Sequence, residues 1–399
     1  MNAVTGFGRI PPRSAAVVAA PADRRPSRAE AYIAAHDFDR PTLVLDVDAV
    51  ADQYRALAAG LGAARIHYAV KANPHPAVVA RLAALGAGFD AASLGEIELC
   101  LAQGADPAHI SFGNTIKRAG DVAFAHAVGV TLFAADAEAE LDKIAAHAPG
   151  ARVYIRMLVD NPDADWPLSR KFGVPAERVL PLLDHARALG LVPHGLSFHV
   201  GSQTREPRMW DGTLDAVAAI WHAARPAGHD LRLLNIGGGF PAFYGTAIDH
   251  PTDYAADVMR RVRARFGDVA VMAEPGRGLV AEAGAIAAEV LLAARKSDND
   301  LHRWVYLDIG KFSGLAETID EAIRYQFVTP RDGDPTGPCI LAGPSCDSAD
   351  VLYEKRPVNL PLTLAAGDRI VIRNCGAYTS SYSSVGFNGF PPLDVVVLD

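Results

Sequence analysis

The position of Lys71 is the first feature that suggests chemistry. This lysine ends an apolar segment, RIHYAVK, at residues 65–71. An amine at the end of a buried strand would enter a site with a hydrophobic floor, where desolvation lowers its pKa and frees a nucleophile. The same position also suits a structural lysine whose methylene stem lies along apolar surface. The segment therefore predicts a candidate nucleophile, with the structural alternative open.

A glycine run and a short acidic and basic motif supply candidate phosphate contacts. Gly237, Gly238 and Gly239 follow the apolar residues LLNI. Successive glycines after a strand let backbone N–H groups approach a phosphate, although a tight turn needs glycine too. The motif AEPGRG adds Glu274, which could pair with a ring nitrogen, and Arg277, which could pair with a phosphate.

A histidine lies at the end of a third apolar segment. His199 occurs in SFHVGSQ and is followed by Gly201 and Ser202. Its flat ring could stack on a planar cofactor, whereas a core histidine is the alternative. Together these motifs predict a site for a planar, phosphorylated ligand beside an amine.

Eight short β-rich segments alternate with alanine-rich segments of helical periodicity, which predicts an α/β fold with a closed parallel (β/α)8 TIM barrel. The predicted strands are residues 65–71, 87–92, 109–114, 130–136, 152–158, 194–200, 232–237 and 269–275. A barrel of this kind places its active site at the C-terminal ends of the strands. The polar or glycine residues at those ends are Lys71, Asp90, Asn114, Asp136, Arg156, His199, Gly237 and Glu274. Loops also begin there, so polarity alone is the competing explanation.

The sequence after the barrel predicts a second domain. Residues 280–399 contain β-rich runs separated by turns, which favours an antiparallel sheet. TLVLD at 42–46 is assigned to the same sheet, so this β domain combines residues 28–46 with 280–399. The barrel spans 47–279, and residues 1–27 are predicted to form a flexible leader.

Charge and cysteine content exclude several classes of protein. The 399 residues carry a net charge of −8, which argues against nucleic acid or an anionic membrane as a main partner. The four cysteines form no Cys-x-x-Cys pair, so neither a metal site nor a dithiol motif is predicted. Few cysteines in a long chain favour reduced thiols and a cytoplasmic protein, and no apolar run is long enough to span a bilayer.

Seven motifs then point to a known family. HYAVKANP, FDAASLGEIE, GLSFHVGSQ, NIGGGFP, EPGRG, GPSCDSAD and GAYT resemble those of the fold-type III decarboxylases that depend on pyridoxal 5′-phosphate (PLP), and they occur in the family's order. This group contains ornithine, lysine, diaminopimelate and biosynthetic arginine decarboxylases, and the resemblance is strongest to the bacterial ornithine/lysine decarboxylases. It implies a PLP-binding barrel, a β domain and a homodimer with shared active sites.

The resemblance also implies roles for individual residues. Lys71 would bind PLP covalently, His199 would stack on the pyridine ring and Glu274 would keep the ring nitrogen protonated. The implied phosphate contacts are Ser202, Gly237, Gly238, Gly239, Gly276, Arg277 and Tyr378, and Asp90 and Arg156 match polar residues near the lysine.

Further roles depend on the partner subunit. Cys346 would protonate the carbanion after CO2 leaves, and Asp347 would contact the substrate amine. Lys171 and Asp350 match a salt bridge across the dimer interface.

The substrate is less constrained by the sequence. CDSAD resembles the form found in ornithine and lysine decarboxylases, so L-ornithine to putrescine is predicted first and L-lysine to cadaverine second. Glu317, Asp320 and Glu321 are candidates to bind the distal ammonium, since Glu317 shares a helix face with either of the other two. The alternatives are another basic or diamino acid, such as diaminopimelate, arginine or a specialised-pathway substrate, then a racemase, and then an inactive PLP-binding regulator.

Overall fold

The structure is a computed structural model and describes residues 25–159 and 171–399. Residues 1–24, most of the predicted leader, lie outside the described residues. The described chain opens with α1 (Arg28–Ala35), which a capping box of Ser27 and Glu30 initiates, and with β1 (Thr42–Asp46). No helix of the described residues is both long and apolar enough to cross a membrane.

Eight parallel strands close into a barrel, as predicted. They are β2 (Arg65–Ala69), β3 (Gly88–Ala91), β4 (Ile110–Phe112), β5 (Leu132–Ala135), β6 (Arg152–Arg156), β7 (Val192–Ser197), β8 (Leu233–Asn235) and β9 (Ala270–Ala273). The pairing of Ile66 with Ala273 between β2 and β9 closes the circle. The helices around it are α2 (Val47–Leu61), α3 (Pro76–Ala84), α4 (Leu94–Ala102), α5 (Ala119–Ala127), α6 (Glu138–His147), α7 (Ala176–Ala188), α8 (Asp211–Ala224) and α9 (Pro251–Phe266).

Alternation along the strands separates two cores. Ile66, Tyr68 and Phe89 belong to the large core of the barrel domain, whereas Leu132 and Tyr154 belong to a small separate cluster. Because successive side chains of a strand point to opposite faces, the first set faces the helices and the second faces the barrel interior. The same alternation directs Asp90, Asn235 and Glu274 inward at the C-terminal ends of their strands.

A mixed sheet forms the rest of the chain after the short helix α10 (Arg277–Val280). Its strands are β10 (Gly284–Ala294), β11 (Arg303–Leu307), β12 (Gln326–Val328), β13 (Thr336–Ala342), β14 (Val358–Pro361), β15 (Arg369–Arg373) and β16 (Asp394–Leu398). The strand order is β12-β15-β10-β11-β13-β14, and β1 pairs with both β10 and β16.

Two pairs in this sheet depart from the predicted antiparallel arrangement. β11 pairs with β13, and β1 with β16, in parallel. Parallel neighbours need a long crossover connection. Residues 308–335 supply one between β11 and β13, while β1 and β16 come from opposite ends of the described chain.

Candidate active site

Lys71 and Asp90 form an ion pair at the mouth of the barrel. Lys71 lies in a 3₁₀ helix directly after β2, and its Nζ is 3.5 Å from Oδ2 of Asp90 on β3. Half of the lysine side chain is exposed, against 5% of the aspartate side chain. Burial lowers the pKa of Lys71, but interaction with Asp90, Tyr378 and Glu274 outweighs it, so the pKa is raised. The expectation that the pKa of Lys71 is lowered was therefore wrong, because it took account of desolvation but not of Asp90 on the neighbouring strand.

Glu274 is a partly buried carboxylate held by a neighbour that the sequence analysis missed. It follows β9, and its Oε1 accepts a 2.5 Å hydrogen bond from Nδ2 of Asn235 on β8. The Oδ1 of Asn235 accepts from the backbone N–H of Gly237 at 2.8 Å. Burial, with repulsion from Asp90, raises the pKa of Glu274 to about 8. A cation bound beside Glu274 would reverse that shift.

His199 is neutral and faces the glycine loop. Its Nδ1 accepts a hydrogen bond from the backbone N–H of Gly201 at 3.0 Å, so this nitrogen carries no proton. Burial, together with Arg156 and Lys71, lowers the pKa of His199 to about 3. A Cβ atom at Gly238 would lie 3.0 Å from Nε2 of His199, which places the ring beside the predicted phosphate loop.

The glycine loop after β8 requires glycine for conformation and for space. Gly237 and Gly239 have φ of +65° and +100°, in the left-handed region. A Cβ at Gly237 would lie 2.3 Å from the carbonyl oxygen of Phe198, and one at Gly276 would lie 3.1 Å from the hydroxyl of Tyr378. The loop after β8 is therefore a close-packed backbone cradle, and Gly276, which follows β9, lies beside the ring of Tyr378.

Arg277 collects the remaining predicted phosphate contacts. Its side chain is 4% exposed. It donates to the hydroxyl of Ser202 at 3.2 and 3.3 Å and to that of Tyr244 at 3.2 Å. The ring centroids of Tyr244 and Tyr378 lie 5.7 and 5.0 Å from its Cζ. The structure therefore brings Ser202, Arg277 and Tyr378 together, and the guanidinium donors are directed at Ser202, Tyr244 and Glu317.

Glu317 does not offer the free carboxylate that was predicted to bind the substrate ammonium. Both carboxylate oxygens accept from Arg277, at 2.5 and 2.7 Å, and the side chain is 5% exposed. The carboxylate predicted to bind a substrate ammonium is thus already paired with the guanidinium. The residue spacing would place Glu317 on one helix face with Asp320 or Glu321 only if this segment were a regular α-helix.

The other two candidate acids are also placed elsewhere. Residues Ala316–Glu321 form a 3₁₀ helix with non-helical Ile319 and Asp320, so the predicted shared α-helical face does not exist. Asp320 is 84% exposed and pairs with Lys355 at 3.2 Å. Glu321 is buried, but it accepts from the backbone of Lys355 and from Arg356.

Three further strand-end residues surround the mouth. The guanidinium of Arg156 lies 5.4 Å from the ring centroid of Phe172. Asn114 donates to the carbonyl of Ala92 at 3.2 Å, and Asp136 accepts from the N–H of Gly173 at 2.7 Å. Asn114 and Asp136 therefore secure loops, whereas Arg156 also acts on the pKa values of Lys71 and His199.

Cys346 and Asp347 lie on an exposed loop between β13 and β14. The backbone N–H of Cys346 donates to Oδ1 of Asn388 at 3.0 Å, and Oδ1 of Asp347 accepts from the N–H of Ala349 at 2.8 Å. Within residues 25–159 and 171–399, no described contact joins either residue to the Lys71 group. The single chain therefore leaves both side chains open to solvent.

Asp350 organises this loop from within its own chain. It is 3% exposed. Its carboxylate accepts from the backbone N–H of Lys311 at 2.8 Å and from the N–H and hydroxyl of Ser345 at 3.2 and 2.7 Å. A Cβ at Gly310 or Gly343 would lie 2.1 or 2.3 Å from it.

The ion pair of Asp350 with Lys171 of a second subunit stays a prediction. Within its own chain the Asp350 carboxylate is buried and accepts from three donors. Lys171 is exposed, and its Nζ lies 4.8 Å from the ring centroid of Phe172.

The residues at the mouth fit PLP. The glycine cradle and Arg277 suit a phosphate, neutral His199 presents a flat face, and Lys71 supplies an amine. Glu274, a partly buried carboxylate whose pKa is raised, is suited to a cationic ring nitrogen. No group of three metal-ligating side chains occurs in the part of the chain that the structure describes.

Comparison with known proteins leads to the same chemistry. Residues 47–281 match the family described as pyridoxal-dependent decarboxylase, pyridoxal binding domain. The lysine/ornithine decarboxylase of Selenomonas ruminantium is 34% identical over 378 residues, covering 94% of each chain. The lysine/ornithine decarboxylase of Vibrio vulnificus complexed with cadaverine superposes with a TM-score of 0.83 at 33% identity, covering 94% of this chain and 99% of that one.

A viral arginine decarboxylase is also similar in structure. The arginine decarboxylase of Paramecium bursaria Chlorella virus, bound to agmatine, has a TM-score of 0.83 at 28% identity and is matched over its full length by 92% of this chain. The motifs, the barrel with its β domain and these matches together establish that the chain belongs to the fold-type III PLP-dependent decarboxylases and is a PLP-dependent carboxy-lyase acting on a basic amino acid.

Proposed function

We propose that the protein decarboxylates L-ornithine to putrescine and, with lower preference, L-lysine to cadaverine. The observation that carries this proposal is the exposed CDSAD loop, whose Asp347 uses one carboxylate oxygen for Ala349 and leaves the other open. An open carboxylate suits a substrate ammonium. The lysine/ornithine decarboxylases among the relatives support the same substrate class.

The chain's own residues divide the work at the barrel mouth. When bound, PLP supplies the electron sink that receives the electron pair left by departing CO2. Lys71 would bind the cofactor through its amine, and Asp90 lies 3.5 Å from that nitrogen, where it can hold a proton on it. Glu274, oriented by Asn235, would pair with the ring nitrogen, and neutral His199 would cover one face of the ring.

Phosphate binding and protonation complete the proposed assignments. Arg277, Ser202 and the loop of Gly237, Gly238 and Gly239 would bind the phosphate, with Gly276 and Tyr378 alongside. Cys346 delivers the proton to Cα after CO2 leaves. Because its thiol is exposed on the β domain, we assign this step to the site of a second subunit.

An apolar surface beside Cys346 supports this homodimer. Asn388, which binds the backbone of Cys346, is flanked by exposed apolar residues: Tyr382 is 47% exposed, Val385 86% and Phe387 38%. Exposed apolar groups in one segment commonly mark a protein interface. A second copy seated there would cover them and bring Cys346 and Asp347 to its own barrel mouth.

The substrate assignment is tested by CO2 release from purified protein with PLP. L-ornithine, L-lysine, L-arginine and meso-diaminopimelate are offered separately. Ornithine and lysine should differ by no more than about 200-fold in kcat/KM, since one methylene is worth about 1–3 kcal/mol in a pocket. A dominant rate with arginine or diaminopimelate, or no release at all, would contradict the proposal.

Subunit mixing tests the shared site. Lys71→Ala should abolish the absorbance of lysine-bound PLP, and Cys346→Ala should lower CO2 release more than PLP binding. Mixing the two inactive variants should restore about a quarter of wild-type activity, because half of the dimers are mixed and each has one intact site. Mixing Lys71→Ala with Lys71→Arg is the control and should restore none. Equal inactivity in both mixtures would exclude a shared site.

A further inference from the structure

Two buried polar atoms beneath Lys71 lack hydrogen-bond partners. They are the hydroxyl oxygen of Tyr154, on β6, and Oδ1 of Asp90, on β3; neither finds a partner in good geometry among the described residues. Tyr154 is 2% exposed and Asp90 is 4% exposed. A buried polar group without a partner is costly, and such groups are usually bonded to protein or to ordered water. Here one group is a donor and the other an acceptor.

Gly113 shows that these two atoms share one space. A Cβ atom at Gly113 would lie 1.7 Å from Oδ1 of Asp90 and 3.3 Å from the hydroxyl oxygen of Tyr154. The two oxygens therefore lie no more than about 5 Å apart, within the span of one bridging water, and they form no direct bond in good geometry. Any other residue at 113 would displace the Asp90 carboxylate.

The hydroxyl stays protonated and able to donate. Burial, with repulsion from Glu274 and Asp90, raises the pKa of Tyr154 well above its ordinary value. Ser111, as a donor towards the phenol oxygen, and the charge of Arg156 both oppose that rise, although Ser111 forms no bond in good geometry with it. The Ser111 hydroxyl itself donates to the carbonyl of Phe89 at 3.4 Å, so its oxygen can still accept.

We propose that Tyr154 is a positioning residue whose hydroxyl, through one buried water, binds Oδ1 of Asp90 and thereby keeps Oδ2 directed at the Lys71 amine. The aspartate then has a donor on each oxygen. One is the water below, and the other is the Lys71 amine 3.5 Å away. The inference rests on the proposed roles of Lys71 and Asp90, but the water itself exists or not whatever the substrate is.

Crystal structures of the protein without substrate test the water directly. In the wild type we expect an ordered water within about 3.2 Å of both oxygens. In Tyr154→Phe, which keeps the ring, that water should be lost and the Asp90 carboxylate should rotate. A wild-type structure with no water between the two oxygens would overturn the proposal, even if the enzyme decarboxylates ornithine as proposed. Conversely, failure of the substrate assay would leave the proposal of the buried water unaffected.

A pH titration of the PLP-loaded protein tests the effect on Lys71. The groups acting on this lysine are Asp90, Tyr378, Glu274 and Arg156. If Tyr154→Phe frees Asp90 to turn away, the absorbance midpoint of lysine-bound PLP should fall by about half a pH unit or more. An unchanged or raised midpoint would refute the positioning role.

One further variant separates the water from the other neighbour of the hydroxyl. Ser111→Ala removes the Ser111 hydroxyl and should leave the midpoint unchanged; a shift equal to that of Tyr154→Phe would show that Ser111 is the true partner. If Tyr154→Phe does not fold, the wild-type crystal structure still decides, because a structure without a water between the two oxygens overturns the proposal.

Discussion

Replacing Glu317 with Gln removes one half of a buried ion pair. The Glu317 and Arg277 side chains are 5% and 4% exposed, and two hydrogen bonds join them. Breaking such a pair by removing one partner costs about 3–5 kcal/mol, because the other charge stays buried. Arg277 keeps its bonds to Ser202 and Tyr244, so we expect about 3 kcal/mol for the protein without PLP.

The phosphate of PLP should reduce this loss. A dianion beside Arg277 replaces the missing negative charge, so Glu317→Gln should be far less destabilised with PLP than without it. The assay is the urea midpoint of each protein in the presence and absence of saturating PLP. The expected result is a larger gain in midpoint on adding PLP for Glu317→Gln than for the wild type.

Asp320→Asn is the matched control, since Asp320 lies in the same 3₁₀ helix with a largely exposed ion pair. Exposed pairs contribute little, so its midpoint should equal that of the wild type. If Glu317 instead binds substrate without supporting Arg277, Glu317→Gln would keep wild-type stability without PLP and would raise only KM. That result would refute the reasoning.

Asp350→Asn places an amide among three donors, so the loop of Cys346 should loosen. CO2 release should then fall at least about tenfold while the absorbance of bound PLP is retained. A parallel loss of CO2 release and PLP absorbance would contradict this prediction. Asn235→Ala should cost about 1–3 kcal/mol and slow decarboxylation, because Glu274 loses its donor; an unchanged urea midpoint would argue against this. Burial and nearby Arg65 lower the pKa of His67 to about 3. His67 is therefore protonated at a lower pH in the folded protein than in the unfolded chain. The free energy of unfolding should decline as the pH falls from about 6.5 towards 3. His67→Gln should flatten that decline, as followed by urea midpoints across this range.

The barrel was predictable because its signals are local. Each strand is a short β-rich run followed by a helical period, and a closed barrel brings every strand end to one mouth. Lys71, Asp90, His199 and Glu274 therefore converge without any knowledge of long-range contacts. The cradle was predictable for the same reason, since consecutive glycines are a local requirement of φ and space.

The residues that were misplaced or missed depend on partners distant in sequence. Glu317 looked like a substrate ligand because its pairing with Arg277 crosses from the β domain to the barrel mouth. Asp350 is buried by Lys311 and Ser345, which composition does not reveal. Asn235 had one usable signal, as the polar residue at a strand end directly before the glycine loop.

The pairing of β1 has a consequence for biosynthesis. β1 is buried along its whole length, yet its partners are residues 284–287 of β10 and 394–398 of β16. During translation the entire barrel emerges before either neighbour exists. The apolar strand TLVLD therefore stays unpaired until β10 emerges, and one of its edges remains a potential aggregation site until β16 leaves the ribosome. Loss of β16 would leave that edge permanently open, so truncation there should lower the yield of native protein before it alters any active-site residue.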